Sequence, residues 1–458
     1  MAIDRVDQYL ETHRDRFEDQ LKALLRIPSV SAQPAHNEDT LRAAEFVRDD
    51  LRRMGIPAEL IGFPSGHPIV YGERLDAPGK PTLLIYGHYD VQPPEPLEPW
   101  ISPPFEPTVR GGNIYARGAT DDKGQFFTHL KALEAWLETV GRLPVNVKVL
   151  IEGEEEVGGK NLEQYMAQEA RKLACDYAVI SDTSQFAPGK PAICYGLKGL
   201  AYFELLVKGA NRDLHSGTYG GAVANPINAL VEILSTFKDR EGRIQIPGFY
   251  DDVRPLEDWE RAEFARLPFS EAEFQADLAV NALFGETGYT TLERKWARPT
   301  CDINGIWGGY SGPGPKTVLP CQAGAKFSFR LVPDQDPERV SELLRSHLDR
   351  VKPPGVTIEL IQHSGAPPVL VEVKGSAGVA AASRAIAAAF GTPPVLIREG
   401  GSIPVVGLIK KHLGVDTLLL GWGQNDDNLH GPNEKFSLGD FQRGIRASAH
   451  LLAELAQA

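Results

Sequence analysis

Cysteine is scarce. Four occur among 458 residues, Cys175, Cys194, Cys301 and Cys321, each far from the next and none in a C-x-x-C pair. That spacing excludes a disulfide framework and a thiolate zinc site, leaving buried single thiols as the expectation. Long apolar runs are missing as well. Nowhere do 18 apolar residues follow one another, and the opening M-A-I-D-R-V-D-Q-Y-L-E-T-H-R has no apolar signal-peptide core, so a cytoplasmic protein with no membrane partner is expected. Positive charge is in deficit: 48 Lys and Arg stand against 61 Asp and Glu, a net charge of −13 that no basic cluster offsets. Such a surface repels phosphate backbones and argues against a nucleic-acid partner. Solenoid-type repeats and low-complexity tracts are absent too.

The remaining composition is that of a globular protein, with 42% hydrophobic and 24% charged residues. The length exceeds what one core usually supports, so two domains, or one with a large insertion, are expected. Apolar spacing predicts an amphipathic helix over 4–25 and a second over 41–54 that buries Leu41, Ala44, Val47 and Leu51 before stopping at Gly55. Strand-like runs follow at 58–63, 68–72, 82–86, 145–151 and 177–180, with a helix after Gln125 and another over 161–173. Strands alternating with helices imply a mostly parallel sheet flanked by helices. Near Gly196 the character changes to longer amphipathic strands, among them 325–332 and 356–361, with helices at 224–237 and 337–351 and an acidic helical stretch at 251–277. This middle section reads as a small inserted α+β domain. The α/β style returns with an Ala-rich helix at 377–390, a strand at 417–420 and a final helix at 438–455. The expected division is a discontinuous domain of 1–196 plus 370–458, with 197–369 inserted.

The stretch I-Y-A-R-G-A-T-D-D-K-G-Q, Ile114 to Gln125, places two adjacent carboxylates at a strand-to-helix junction. In an α/β protein such junctions hold ligand sites. Taken alone it is equally a capped helix start, with Thr120 or Asp121 as N-cap and the acids solvated. Other strand ends carry matching groups: His88, Glu155 or Glu156, Asp182 and His430. Two imidazoles and three carboxylates without thiolate suit Zn²⁺, Mn²⁺ or Co²⁺, and five ligands exceed what one catalytic zinc needs. A pair of metal ions sharing one bridging carboxylate uses them all. Singly, each has a plain reading: Glu154 to Glu156 as a solvated acidic turn, His88 as a core histidine, His430 as a surface one.

In order and spacing the set G-H-Y-D-V-Q, A-R-G-A-T-D-D-K-G-Q, E-G-E-E-E-V-G-G, I-S-D and L-H-G-P-N-E resembles the M20 metallopeptidases. The resemblance spans essentially the whole chain and, through D-L-H-S-G-T-Y-G-G, F-R-L-V-P and R-E-G-G-S-I-P-V, is strongest to the cytosolic dipeptidase branch that includes carnosine dipeptidases. It implies a zinc-exopeptidase (phosphorylase/hydrolase-like) catalytic domain with a ferredoxin-like lid that also forms a homodimer. It implies two divalent ions per subunit, with Asp121 as the bridge, His88 and Asp182 completing one shell, and Glu156 and His430 the other. Asp90 would orient the His88 ring, Glu155 would be the general base, and a cis peptide would join Asp121 to Asp122. His215 would donate to the scissile carbonyl, while Arg330 and the Gly400-Gly401-Ser402 turn would hold the substrate's terminal carboxylate.

The activity this implies is hydrolysis of dipeptides or short peptides by a metal-bridged hydroxide. Residue chemistry supports it: a metal lowers the pKa of bound water to roughly 7, and a free carboxylate can then shuttle the proton for about 10²–10⁴ in rate. An N-acyl amino acid amidohydrolase is the rival within the superfamily. A non-catalytic binding protein on a decayed hydrolase fold is the rival outside it. Val157, Gly159 and Ala116 depart from the residues usual in relatives, and the E-E-E triplet admits a one-residue slip in the assignment of Glu155 and Glu156.

Overall fold

A computed structural model describes residues 2–458. The chain divides into two compact units: the first holds the chain up to Tyr195 with Val371–Ile397 and Leu408–Ala458, the second Gly196–Leu370 with Arg398–Gly407.

The first unit is built on a mixed sheet. From one edge its strands run Ala58–Ile61, Ile69–Arg74, Asn146–Glu152, Thr82–His88, Tyr177–Ile180, Thr417–Gly421 and Ala192–Leu197. The central four are parallel to one another; the pairs Ala58–Ile61 with Ile69–Arg74, Ile69–Arg74 with Asn146–Glu152, and Thr417–Gly421 with Ala192–Leu197 are antiparallel. These central strands are buried throughout apart from their first residues, as their near-continuous apolar sequences require. Across them lies the helix Lys123–Val140, buried from Lys123 through Trp136 and ended by Gly141 in the left-handed conformation, φ 79°. Its all-round burial follows from packing under the N-terminal helices and the C-terminal helix Leu438–Leu455 as well as over the sheet.

Two local expectations are corrected. The stretch 4–25 is two helices, Ala2–Thr12 and Arg14–Leu25, separated at His13, although its stripe of Val6, Leu10, Phe17, Leu21, Leu24 and Leu25 is buried as one face. The next helix, Asn37–Arg53, buries Ala43, Ala44, Val47 and Leu51, but Leu41 is 43% exposed. Leu41 lies in the first turns, beyond the edge of the apolar stripe.

The second unit contains a four-stranded antiparallel sheet in the order Thr300–Gly308, Gln322–Leu331, Gly199–Lys208, Thr357–Ala366. With the helices Pro226–Ser235 and Pro337–Val351 interposed, the chain order is β-α-β-β-α-β, the ferredoxin-like arrangement. Alternate residues Ala201, Phe203, Leu205 and Val207 point into a core shared with Phe327, Phe329, Leu230, Ile233 and Leu344.

Candidate metal centre

The four parallel strands deliver their following residues to one end of the sheet, where an open α/β sheet binds ligands. His88 ends its strand; Glu155 and Glu156 sit in a single 3₁₀ turn after Glu152; Asp182 follows Ile180; His430 lies in the loop after Gly421. Asp121 enters from the side, just before the helix that begins at Lys123. Its peptide bond to Asp122 is cis.

These residues form two triads that share Asp121: His88, Asp121 and Asp182, and Asp121, Glu156 and His430, each with ligand atoms within 4.8 Å of one another. The two oxygens of Asp121 divide between them. Oδ1 lies 3.1 Å from His88 Nε2 and Oδ2 lies 2.9 Å from His430 Nε2, which is in turn 3.6 Å from Glu156 Oε2. Glu155 belongs to neither triad.

The surroundings orient these groups. His88 Nδ1 is 3.1 Å from the Asp90 carbonyl and 3.3 Å from Asp90 Oδ1, which directs Nε2 toward Asp121. Asp90 Oδ2 accepts from Ser31 Oγ at 2.7 Å and from the Glu156 N–H at 3.2 Å, so this one carboxylate steadies both halves. Gln92 donates to Glu156 Oε2 at 2.7 Å. Glu154 is occupied elsewhere, accepting from the His67 N–H and the Asn161 amide, both at 2.9 Å. Among the three consecutive glutamates, then, one braces the 62–68 loop, one joins a triad and one remains free.

The electrostatics are those of too many carboxylates in too little water. Burial, then Asp121, pushes Glu156 up to about 8; burial, then Asp121 and Asp122, raises Asp182 well above the carboxylate range. Glu155 is also raised, first by burial. His430 is lifted to about 9, chiefly by its bond to Asp121. His88 would be lowered by burial, yet Asp121 and Asp90 hold it well above its usual value. Asp121 itself would be raised by burial but is brought low by its bond to His430 and by the nearby His88 ring. His88 Nε2 and Asp122 Oδ1 are buried without an aligned hydrogen-bond partner. An N/O donor set with orphaned buried atoms and surplus negative charge fits two divalent cations, which would replace the protons.

The other sequence candidates lie in the second unit. His215 caps the short helix Ser216–Tyr219 through Nδ1, which accepts the Gly217 N–H at 3.0 Å. An accepting Nδ1 leaves the ring proton on Nε2. Arg330 Nη1 donates to Ser402 Oγ at 3.2 Å, and Ser402 Oγ donates to the Lys198 carbonyl at 2.5 Å. Around Gly401 a Cβ would meet only open space. Gln92, Arg117 and Glu434 also bond to the site, and sequence pattern alone does not mark them as its members. For Gln92 the nearest signal is the alternation His88, Asp90, Gln92, which continues one face past the strand end. The other two stand inside motifs noticed for their neighbours.

The chain matches the sequence pattern of peptidase family M20/M25/M40 over residues 84–454. It is 34% identical to the Cys-Gly metallodipeptidase dug1 of Schizosaccharomyces pombe, covering 100% of this chain and 99% of that protein. Identity to the Beta-Ala-His dipeptidase of Homo sapiens is 33%, over 99% of this chain and 93% of the other. Among solved structures, human carnosine dipeptidase 1 superimposes with a TM-score of 0.86 at 32% identity, over 100% and 99% of the two chains. The M20 family metallo-carboxypeptidase Sso-CP2 of Sulfolobus solfataricus gives 0.87 at 36% identity, over 96% and 99%.

Proposed function

The chain belongs to peptidase family M20/M25/M40, and from that premise we propose the division of labour within a metal-dependent dipeptidase. It is a hydrolase of dipeptides, and the Cys-Gly and β-Ala-His peptides named for its relatives are the first substrates to assay. The observation that carries the assignment is the pair of triads sharing Asp121, with Glu155 free beside them. Two divalent ions held there supply Lewis acidity to the scissile carbonyl and acidify a water.

Glu155 takes the proton of the attacking water and returns it to the leaving amine. Its buried setting raises its proton affinity, as this two-way task requires. Asp90 keeps His88 in the required tautomer. His215, with its proton on Nε2, donates to the carbonyl oxygen, a contribution of about 10²–10³ in kcat for such donors. Arg330, together with Gly401 and Ser402 of the glycine turn, binds the terminal carboxylate. The proposed catalytic domain is residues 1–196 with 370–458 and the lid 197–369, apart from 398–407, which belong to the second compact unit. Zn²⁺ is the proposed ion, with Mn²⁺ and Co²⁺ compatible with the same donors. The four cysteines are free thiols, which suits a reducing cytoplasm.

Glu155→Gln should abolish dipeptide turnover while two metal ions remain bound, read by steady-state kinetics beside metal analysis; substantial residual activity would overturn the base assignment. A homodimer through the second unit is also proposed. It is supported by the Thr300–Gly308 strand, which pairs on one side only and leaves Ile303, Ile306 and Trp307 exposed. Ile306 is 57% exposed, and Ile306→Lys should convert a dimer to monomer in light scattering if that face is the interface.

A further inference from the structure

His430 is the most exposed of the five candidate ligands. Its side chain is 58% exposed, and its backbone is left-handed at φ 60°, as are Asn428 at 56° and Asn433 at 61°. Three non-glycine residues in that region within one short loop are a strained arrangement that persists only where the surroundings enforce it. Asn433 is held by its side chain, which accepts the Ile101 N–H and donates to the Pro99 carbonyl, both at 2.8 Å; the backbone of His430 is held by a buried pair.

Glu434 and Arg117 are 0% and 1% exposed and in contact, with Arg117 Nη1 donating to Glu434 Oε2 at 2.8 Å. Oε2 also accepts the Gly118 N–H at 2.9 Å. Oε1 accepts the N–H groups of Thr120 at 3.0 Å and of Asp121 itself at 3.1 Å. The second arm of the Arg117 fork, Nη2, donates to the His430 carbonyl at 3.0 Å and lies 3.3 Å from the Pro93 carbonyl. One carboxylate therefore holds the backbone of the bridging aspartate, and its guanidinium partner holds the backbone of the exposed histidine. The strands Asn113–Tyr115 and Lys435–Ser437, which pair immediately beside these residues, keep the two loops in register.

We infer that Glu434 and Arg117 are positioning residues that set the distance between Asp121 and His430, and so govern the affinity of the Asp121–Glu156–His430 site for its divalent ion. This rests on the two-ion reading above. The His88–Asp121–Asp182 site shares Asp121 but depends on the pair less, because His88 ends its own strand and Asp182 lies two residues past the end of another.

The test is titration of Mn²⁺ or Co²⁺ into chelator-stripped protein, followed by calorimetry. Wild type should take up two equivalents; fewer than two overturns the two-ion reading itself. Glu434→Gln is close to isosteric, but each carboxylate oxygen already accepts two donors, so the amide NH₂ must oppose N–H groups whichever way it turns. The expected result is one equivalent bound as in wild type and the second weakened by about tenfold or more, with activity recovered at high metal concentration. Two unchanged equivalents, or equal weakening of both, overturns the positioning role and leaves the two-ion reading standing. Should Glu434→Gln not fold, Arg117→Lys decides. It keeps the three backbone bonds of Glu434 and removes the fork that reaches the His430 carbonyl. Weakening confined to the second equivalent supports the inference, and no weakening overturns it.

Discussion

Both triads of the candidate metal centre share Asp121, whose oxygens face opposite histidines at 3.1 Å and 2.9 Å. A carboxylate used in this way cannot be replaced by its neighbours, because Asp122 turns its own Oδ2 to the His88 N–H at 3.2 Å. Asp121→Ala should lose both ions together in metal analysis, and selective loss of one would argue against a bridge. In sequence the doublet stands out as a candidate site because four other strand ends carry matching ligand types. The glutamate triplet is less legible: Glu154, Glu155 and Glu156 are identical letters, and only their partners distinguish them. A hydrogen bond from the His67 N–H, 87 positions away in the chain, leaves no local mark.

At the scale of elements, the centre depends on how closely the parallel strands approach. Gly421 ends the Thr417–Gly421 strand at a point where a Cβ would lie 2.2 Å from the carbonyl carbon and oxygen of Thr183, beside Asp182. Both contacts are backbone, so neither can swing aside. Gly421→Ala should cost about 1–3 kcal/mol, the usual range for overpacking, in thermal or denaturant melts, and should weaken the His88–Asp121–Asp182 site because Asp182 must shift with Thr183. Elements with one strong periodicity were readable from sequence to the residue, as for the helices Pro337–Val351, Ala377–Phe390 and Leu438–Leu455. Thr300–Gly308 was not. Its T-C-D-I-N-G-I-W-G carries turn-like Asp, Asn and Gly, and its register shifts between Ile303 and Gly305, so the alternation that marks a strand is interrupted. The largely parallel sheet expected from alternating elements holds for the centre, whereas the antiparallel flanks depend on pairings that no local pattern specifies.

For the whole molecule, burying this cluster links stability to metal and to pH in opposite directions. Glu156 titrates near 8 in the folded chain without metal, against 4.5 for its ordinary value, so between those limits the folded form keeps a proton that the unfolded form has lost. Stability then falls as pH rises, with a slope of up to ~1.4 kcal/mol per pH unit for each such group. His430 acts in the same sense. Its folded value of about 9 exceeds the ordinary 6.5, so its contribution is complete below 6.5 and is lost as pH rises through about 9. The carboxylates and histidines share protons and titrate as a group, but every raised member gives the same sign. Divalent ions bind the deprotonated carboxylates and displace these protons, which removes the penalty. They also add roughly 2.7 kcal/mol per site at a hundredfold excess over Kd. The gap in melting temperature between metal-loaded and chelator-stripped protein should therefore widen steadily from about pH 5 to about pH 8.5, measured by calorimetry in matched buffers. A gap that stayed constant or narrowed over that range would mean that the clustered groups do not exchange protons for metal.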